Sequence, residues 1–532
     1  MLDLSDMNDF SAGIGPLQVA AASAPICVLI WLMLARGWGA ARAGPMALIT
    51  AVVIAIVMFG ADARLLAFSQ AKAALLSIWI LLIIWGALFL YHLVDETGKI
   101  PVIGAWLAQL GPSQPFRVLI LAWAFTSFLQ GIAGYGVPVA VVAPLMVANG
   151  FAPAVAVIAT SIGHSWSVTF GSLAASYFAL AGVSGAGGFT LAVDSAIMLG
   201  VACLLCGVGA LWAYGGLTAL RAVWRPMIAT GAVMATVQLI FAAAGAYSIA
   251  AFAAGASGLL LLGLWGRVLK VRDRAKPGLE SGSEQVSVRH FLLAFAAYIA
   301  LIIVVLVVNF VPAVNQAANS VLLKLPFPET TTALGWSNVA TASYRTIAPF
   351  ADAGPLLLFA AVIGFVVYRF AGLANVSSLR RAASRTVSGA AASSIGVAMM
   401  IAMALAMTDS GMTYALARGL SSLAGGYFPV VSPFIGVLGS FMTGSNTSSN
   451  ILFGALQRDT GVLLGLSVPV ILAAQTTGGA IGSMLAPAKI VVGCSTVGLG
   501  GQEGPILRAG VKYGLAISAT IGLFALAVSR LG

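Results

Sequence analysis

Apolar runs long enough to cross a membrane recur along almost the whole chain, from Leu17 to the C-terminus. A bilayer core of about 30 Å needs about 20 apolar residues in a helix. Clear candidates are 17–35, 45–61, 73–94, 190–214, 245–266, 290–312, 351–370, 386–407 and 511–530. Only 8% of the residues are charged, against about 25% in a soluble domain. The sequence therefore predicts an all-α, multi-pass integral membrane protein in a lipid bilayer.

The apolar character is interrupted in two stretches, 115–182 and 428–500. Both contain Gly, Pro and small polar residues, which lower helix stability or remove a backbone donor. A helix that breaks inside lipid must bury its freed amides and carbonyls in protein or direct them into a cavity. Including these stretches, we expect about 12 to 14 membrane segments, some of them broken helices or re-entrant hairpins.

The two interrupted stretches resemble each other. SFLQG begins at Ser127, and SFMTG begins 313 residues later at Ser440. Upstream, apolar runs end at Asp95 and Asp409; downstream, GSLA is matched by GSMLA. The weak repeat has a first copy at about 95–174 and a second copy at about 409–486. Internal repeats in a hydrophobic chain are typical of secondary transporters.

Most positive charges lie in short loops, which accounts for the net charge of +11 without a nucleic-acid partner. Short basic loops remain on the cytoplasmic side of a membrane protein. This rule assigns the segments 36–42, 267–289 and 369–385 to that side. The acidic N-terminus is then predicted to lie outside, and because it lacks a basic leader region we expect it to be retained.

The same rule predicts that the repeat is inverted. Counted from an external N-terminus, Asp95 lies at the cytoplasmic side, whereas the basic residues before span 386–407 place Asp409 outside. Inverted repeats form two related half-sites that meet near the bilayer midplane. We divide the chain into N-terminal spans (1–69), a first half (70–266), a cytoplasmic linker (267–289) and a second half (290–532).

Predicted helix breaks contain the candidate binding residues. They lie at 130–138 and 161–167 in the first half, and at 443–450 and 475–479 in the second. Ser445–Asn450 places six hydroxyl or amide side chains in succession, which is costly in hydrocarbon without partners. Helix N-termini at such breaks present free N–H groups and partial positive charge, so they suit a carboxylate. None of these breaks contains Arg or Lys, which favours a monoanion over a dianion as ligand.

Several ordered motifs between about 70 and 510 resemble the L-lactate permease family. They are FLQGIAGYGVPVAVVAPLMVANGF from Phe128, GHSWSVTFGSLA from Gly163, GSNTSSNILFGALQ from Gly444, and GGAIGSMLAP with STVGLGGQEGPILR towards the C-terminus. In the larger group of ion transporters that includes this family, Ser-Asn-Thr motifs at hairpin tips contact carboxylate substrates or coupling ions. Ser445–Thr447 matches that motif. The resemblance implies uptake of L-lactate, glycolate and related 2-hydroxymonocarboxylates with protons across a bacterial cytoplasmic membrane.

The breaks and the resemblance together define a candidate site. Backbone N–H groups and the tip at Ser445–Thr447 are expected to hold the carboxylate, while Gln130 or Ser165 contacts the 2-hydroxyl. Proton coupling needs a titratable group; the candidates are Asp409, its symmetric mate Asp95, His164 and Glu503, with Asp409 favoured. The set predicted for substrate binding is Gln130, Gly131, Gly134, Tyr135, Gly136, Ser165, Trp166, Gly444, Ser445, Asn446, Thr447 and Thr477.

Other function classes compete with this prediction. The nearest alternative keeps the fold but couples to sodium and carries dicarboxylates, and only a gradient assay separates the two. A membrane-embedded enzyme or metal site would need clustered ligands, yet His92, His164 and His290 are far apart in sequence. A channel would need charged rings or repeated filter loops. The sequence predicts neither an enzyme, nor a cofactor, nor a metal, and it leaves open whether the chain forms a homo-oligomer.

Overall fold

The computed structural model describes residues 14–36, 38–98, 107, 110–132, 134, 136–274, 293, 296–499 and 502–531. Helices dominate because only a helix satisfies its backbone groups within one apolar segment. They are α1 (Pro16–Leu34), α2 (Ala40–Phe59), α3 (Ala63–Asp95), α4 (Gln114–Ile132), α5 (Val137–Ala148), α6 (Pro153–Ser165), α7 (Gly171–Ser184), α8 (Phe189–Ala243), α9 (Tyr247–Arg274), α10 (Ala296–Phe310), α11 (Pro312–Ala318), α12 (Ala353–Phe370), α13 (Val376–Asp409), α14 (Met412–Ala424), α15 (Phe428–Thr443), α16 (Asn446–Leu463), α17 (Val468–Gly482), α18 (Pro487–Thr496) and α19 (Glu503–Leu531). Two short antiparallel strands, β1 (Thr330–Thr331) and β2 (Ser337–Asn338), lie between α11 and α12.

The predicted all-α membrane fold is confirmed. By length and composition, nine helices among the described residues can cross a membrane, and two bent helix pairs raise that number to 11. The predicted 12 to 14 segments are reached when the shorter apolar helices are included; these are Val137–Ala148, Gly171–Ser184 and Gly354–Phe370. Helix α9 continues to Arg274 and so includes the first residues of the predicted linker, whose remainder lies outside the described residues.

Helices α3 and α13 pack against each other in antiparallel orientation. At one end, Asp95 Oδ2 accepts a hydrogen bond from Arg385 Nη2 at 2.8 Å. At the other end, Lys72 Nζ donates to Asp409 Oδ2 at 3.0 Å. The two acidic residues that close the matched apolar runs therefore lie at opposite ends of this helix pair, as an inverted repeat requires.

The repeat extends further than the motifs indicated. Helices α2 and α12 begin at residues 40 and 353, and α3 and α13 begin at residues 63 and 376. Both separations are 313 residues, the same as that of the SFLQG and SFMTG motifs. Helices α4 to α7 of the first half likewise correspond, in the same order, to α15 to α18 of the second half. The positions of the helix boundaries thus retain the repeat, although most residues differ between its two copies.

Two of the predicted helix breaks lie elsewhere. Helix α17 runs without interruption through 475–479, and a 3₁₀ turn at Ser483–Leu485 follows it. Two polar side chains of α17 have partners on α16: Gln475 Oε1 accepts from Gln457 Nε2 at 2.9 Å, and Thr476 Oγ1 accepts from Asn450 Nδ2 at 2.8 Å. In the first half, α6 continues to Ser165, and a turn at 166–170 separates it from α7. The glycine and hydroxyl residues from which these two breaks were predicted contribute to helix packing instead.

The ion pair between Lys72 and Asp409 gives a testable prediction about stability. Their side chains are only 10% and 8% exposed, and removing one partner of a buried pair costs about 3–5 kcal/mol. We expect Asp409→Asn to lower the thermal unfolding temperature of the purified protein in detergent. The double variant Lys72→Met/Asp409→Leu should recover most of that loss, since it leaves no unpaired charge. An Asp409→Asn protein as stable as the wild type would contradict this account.

Candidate functional site

The Ser-Asn-Thr tip forms a sharp turn between α15 and α16. Gly444 adopts a left-handed conformation with φ of 77°, which favours glycine. Ser445 is the N-cap of α16, and its Oγ accepts from the backbone N–H of Ser448 at 3.5 Å. The first N–H groups of a helix have no partner within it. The turn therefore presents the positive end of an 18-residue helix.

A turn in the first half faces this tip across a small cavity. Helix α4 ends at Ile132, and Gly136, with φ of 87°, precedes α5. The cavity has a volume of about 30 Å³, well below the roughly 300–1,000 Å³ of small-molecule sites, so its walls must separate before a substrate can enter. Its lining residues come from both halves and are Gln130, Gly134, Val168, Ser172, Ala175, Ser176, Gly444, Ser445, Asn446, Thr447 and Lys489. Six of the residues predicted from sequence are brought together here.

The first-half wall depends on close backbone packing around Ser172. A Cβ atom on Gly134 would collide with Ser172 Oγ, so a larger residue here would displace the Ser172 hydroxyl. Ser172, Leu173 and Ala174 all adopt left-handed conformations, with φ of 47°, 59° and 65°. Such conformations are strained for residues with side chains, and they concentrate at functional sites. This strained, non-helical part of α7 places the Ser172 hydroxyl at the cavity.

The second-half wall is a network of amides and hydroxyls. Asn446 Nδ2 donates to Thr169 Oγ1 at 3.1 Å, and Asn450 Nδ2 donates to Thr476 Oγ1 at 2.8 Å. The hydroxyls of Thr447 and Ser176 lie 2.9 Å apart. Asn446 is 1% exposed. The network links the tip of the second half to residues of the first half, so both repeats fix the position of Asn446.

Lys489 is a residue of this cavity that the sequence reasoning missed. It lies near the start of α18, is 8% exposed, and its Cγ passes close to Gly136. Among the described residues its ammonium has neither an acidic partner nor a hydrogen bond. The predicted helix breaks contain no Arg or Lys, but the cavity that two of them line does include this lysine. The signal was available, because Lys489 is the only basic residue between Arg458 and Arg508, and lone ionisable residues in membrane segments are commonly functional.

Several predicted binding residues lie outside the cavity lining. Gly131 packs against the backbone of Phe252 on α9. Ser165 Oγ donates to the carbonyl of Ile162 at 2.8 Å, and Trp166 Nε1 donates to Ser127 Oγ at 2.9 Å. Thr477 is buried within α17. These side chains support the helices around the cavity. Gly136 borders Lys489, and Tyr135 lies outside the described residues.

The proton candidates named from the sequence also lie away from the cavity lining. Asp409 is paired with Lys72, and Asp95 is paired with Arg385 at the opposite end of the same helix pair. His164 is fully buried in α6, where its Nδ1 lies 2.8 Å from the carbonyl oxygen of Thr160. Within the ranges that the structure describes, no group of three or more His, Cys, Asp or Glu side chains could hold a metal.

Comparison with known proteins identifies relatives along nearly the full chain. A model of the L-lactate permease family matches residues 18–532. The glycolate permease GlcA of Escherichia coli (strain K12) is 25% identical over 513 residues, which cover 91% of this chain and 90% of the relative. The L-lactate permease of the same strain is 27% identical over 460 residues, 83% of each chain. That of Bacillus subtilis (strain 168) is 25% identical over 537 residues, 94% of this chain and 93% of the relative.

Solved structures similar to this chain include two bacterial proteins. The YdaH transporter of Alcanivorax borkumensis gives a TM-score of 0.47 at 15% identity, covering 87% of this chain and 86% of that one. MtrF of Neisseria gonorrhoeae gives a TM-score of 0.49 at 14% identity, covering 94% and 96%. The family match spans all but the first residues. The chain therefore belongs to the L-lactate permease family.

Proposed function

We propose that this protein imports L-lactate, glycolate and related 2-hydroxymonocarboxylates with protons by alternating access, in a bacterial cytoplasmic membrane with its N-terminus outside. The observation that carries the proposal is the cavity between the two turns, where the N-terminus of α16 lies together with Lys489, which has no acidic partner within the described ranges. A buried cation without a partner favours an anionic ligand. One lysine balances one carboxylate, so the cavity suits a monoanion better than a dicarboxylate.

The substrate orientation follows from the lining groups. The carboxylate would accept hydrogen bonds from the Lys489 ammonium and from the first N–H groups of α16. Gln130 lines the same cavity, is 1% exposed, and its Oε1 lacks a hydrogen-bond partner among the described residues. The 2-hydroxyl would donate to this oxygen. An analogue that lacks the 2-hydroxyl would leave this buried oxygen without a hydrogen-bond donor. This penalty supports selection for 2-hydroxy acids.

The inverted repeat supports alternating access. Two related half-sites that meet at one cavity allow the protein to expose that cavity first to one side and then to the other. The half containing α4–α8 and the half containing α15–α19 would move against the central pair of α3 and α13. In each of the two states, open to the outside or open to the cytoplasm, one of the two turns would lie at the closed side of the cavity.

The test is uptake of labelled L-lactate into proteoliposomes that contain the purified full chain. An inward pH gradient should drive accumulation, and excess unlabelled glycolate should compete, whereas propionate and succinate should compete weakly. Accumulation that requires a sodium gradient and is blocked by succinate would support the sodium-coupled alternative instead. Absence of uptake of any 2-hydroxymonocarboxylate would refute the proposed function.

Replacing Asn446 tests the position of the site. Asn446→Ala removes the amide that links the tip to Thr169, and it leaves the Thr169 hydroxyl with one fewer partner. Loss of a buried hydrogen bond costs about 1–3 kcal/mol, so we expect the KM for L-lactate to rise about 5- to 150-fold. Asn149→Ala, the same change at the end of α5 away from the cavity, serves as the matched control. An Asn446→Ala protein with an unchanged KM would place the site elsewhere.

A further inference from the structure

Lys489 occupies an unusual electrostatic position. Its side chain is 8% exposed, it lines the cavity between the two turns, and no described acidic residue neutralises it. A buried ammonium without a counter-charge is unfavourable by several kcal/mol in general. Either of two events relieves this cost: the amine releases a proton, or an anion enters the cavity. These two events are therefore thermodynamically linked at a single nitrogen atom.

We propose that Lys489 carries the symported proton, with the substrate carboxylate as its counter-ion. This inference rests on the proposed function, because it needs a carboxylate in the cavity. The empty protein passes through the closed state with this amine neutral. When the carboxylate enters, a proton from the same side binds the nitrogen lone pair and forms the third N–H bond of the ammonium. On the other side the carboxylate leaves and this proton returns to water.

The linkage explains how a proton leak would be prevented. A proton on Lys489 without a carboxylate leaves an uncompensated cation, and a carboxylate without the proton leaves an uncompensated anion. Both species are costly in a closed, buried cavity. Only the empty neutral cavity and the loaded ion pair carry no net charge, so only these two can pass through the closed state. One lysine thereby suffices to couple one proton to one monocarboxylate.

The titratable groups around α18 leave this role to Lys489. Helix α18 packs against α5, α6 and α19. Helix α5 contains no titratable residue, and α6 contributes His164, which interacts electrostatically with Lys489 but lies outside the cavity lining. The titratable residues of α19 are Glu503, Arg508, Lys512, Tyr513 and Arg530. Of these, Glu503 lies near Cys494 at the other end of α18.

The first test replaces Lys489 by arginine, whose guanidinium keeps its charge at all usable pH values. Such a protein cannot return empty and neutral, but it still offers a cation to the carboxylate. We expect Lys489→Arg to retain exchange of external for internal L-lactate within about 5-fold of wild type, and to lose pH-driven accumulation by at least about 20-fold. Accumulation by Lys489→Arg equal to that of wild type would overturn the proposal.

A second measurement decides the case in which arginine does not fit the cavity and exchange is lost as well. Calorimetric titration with saturating L-lactate, in buffers of different ionisation enthalpy, counts the protons taken up on binding. For wild type we expect this number to rise from near zero at low pH towards about one at high pH, and for Lys489→Gln to stay near zero. A wild-type count that stays near zero at high pH, or proton uptake that persists in Lys489→Gln, would overturn the proposal.

Two further variants test the competing carriers. His164→Asn and the double variant Lys72→Met/Asp409→Leu should both still accumulate L-lactate on a pH gradient. Loss of coupling with retained exchange in either one would move the proton to that group and overturn the role of Lys489. Failure of the proposed function is distinguishable, because the wild type itself would then show neither exchange nor accumulation of L-lactate.

Discussion

Replacing Lys489 by methionine is expected to weaken substrate binding and to stabilise the empty protein at the same time. Methionine keeps much of the length and apolar volume of the lysine stem but removes the ammonium. Truncating one partner of a buried charge pair costs 2–5 kcal/mol or more in binding, so the KM for L-lactate should rise at least about 30-fold. The substitution removes a buried amine that has no hydrogen-bond partner among the described residues, and burying such a polar group is unfavourable, so the thermal unfolding temperature of the empty protein should increase.

The opposite signs of these two effects separate a binding role from a structural one. If Lys489 held the helices together, its loss would lower both the unfolding temperature and transport. Lys512→Met on α19 is the matched control, because this lysine borders a mainly apolar groove between α8 and α19 rather than the cavity. Thermal unfolding in detergent and uptake into proteoliposomes measure the two quantities. A Lys489→Met protein with normal KM, or with lowered stability, would contradict the assignment.

Replacing Gly478 by alanine is expected to destabilise the fold strongly. A Cβ atom at this position would collide with the carbonyl oxygen of Pro433, at the crossing of α17 and α15. Backbone atoms on the opposing helix cannot rotate away as a side chain can, and overpacking in cores costs about 1–3 kcal/mol or more. We expect a lower yield of folded protein and a clearly reduced unfolding temperature. Gly163 faces the carbonyl oxygen of Ala122 in the same way in the first half, so Gly163→Ala should behave alike.

Gly389→Ala provides the control for both glycine variants. Gly389 lies in helix α13 and has open space where a Cβ atom would be placed. Alanine favours helix over glycine, so this change should leave the unfolding temperature unchanged or slightly higher. If Gly478→Ala and Gly163→Ala were as well tolerated as Gly389→Ala, the close helix crossings would not be essential to the fold.

The sequence was sufficient to predict the membrane fold and the tip at Ser445–Thr447. Apolar runs and a cluster of polar residues within them are local patterns, so they survive without knowledge of the tertiary structure. The inverted arrangement also followed, because charges beside the spans determine their orientation. These properties depend on neighbours in sequence.

The parts of the candidate site that the sequence did not reveal depend on neighbours in space. Lys489 lies more than 40 residues after the tip that it faces, and only the packing of α18 beside the first-half turn brings it to the cavity. Gly478 and Gly479 were interpreted as a helix break, yet α17 runs through them. In sequence, a glycine that ends a helix cannot be distinguished from a glycine that makes room for the backbone of a neighbouring helix. The partner helix, which the sequence does not show, decides between them.

Ion pairs at both ends of the α3 and α13 pair fix the register of these two helices. Arg381 and Arg385 bind Glu96 and Asp95 at one end, while Lys72 binds Asp409 at the other. Sliding one helix past the other by a single turn, about 5.4 Å, would separate both sets of charges at once. In the proposed alternating-access cycle, this pair would therefore stay fixed while the helices on either side of it move.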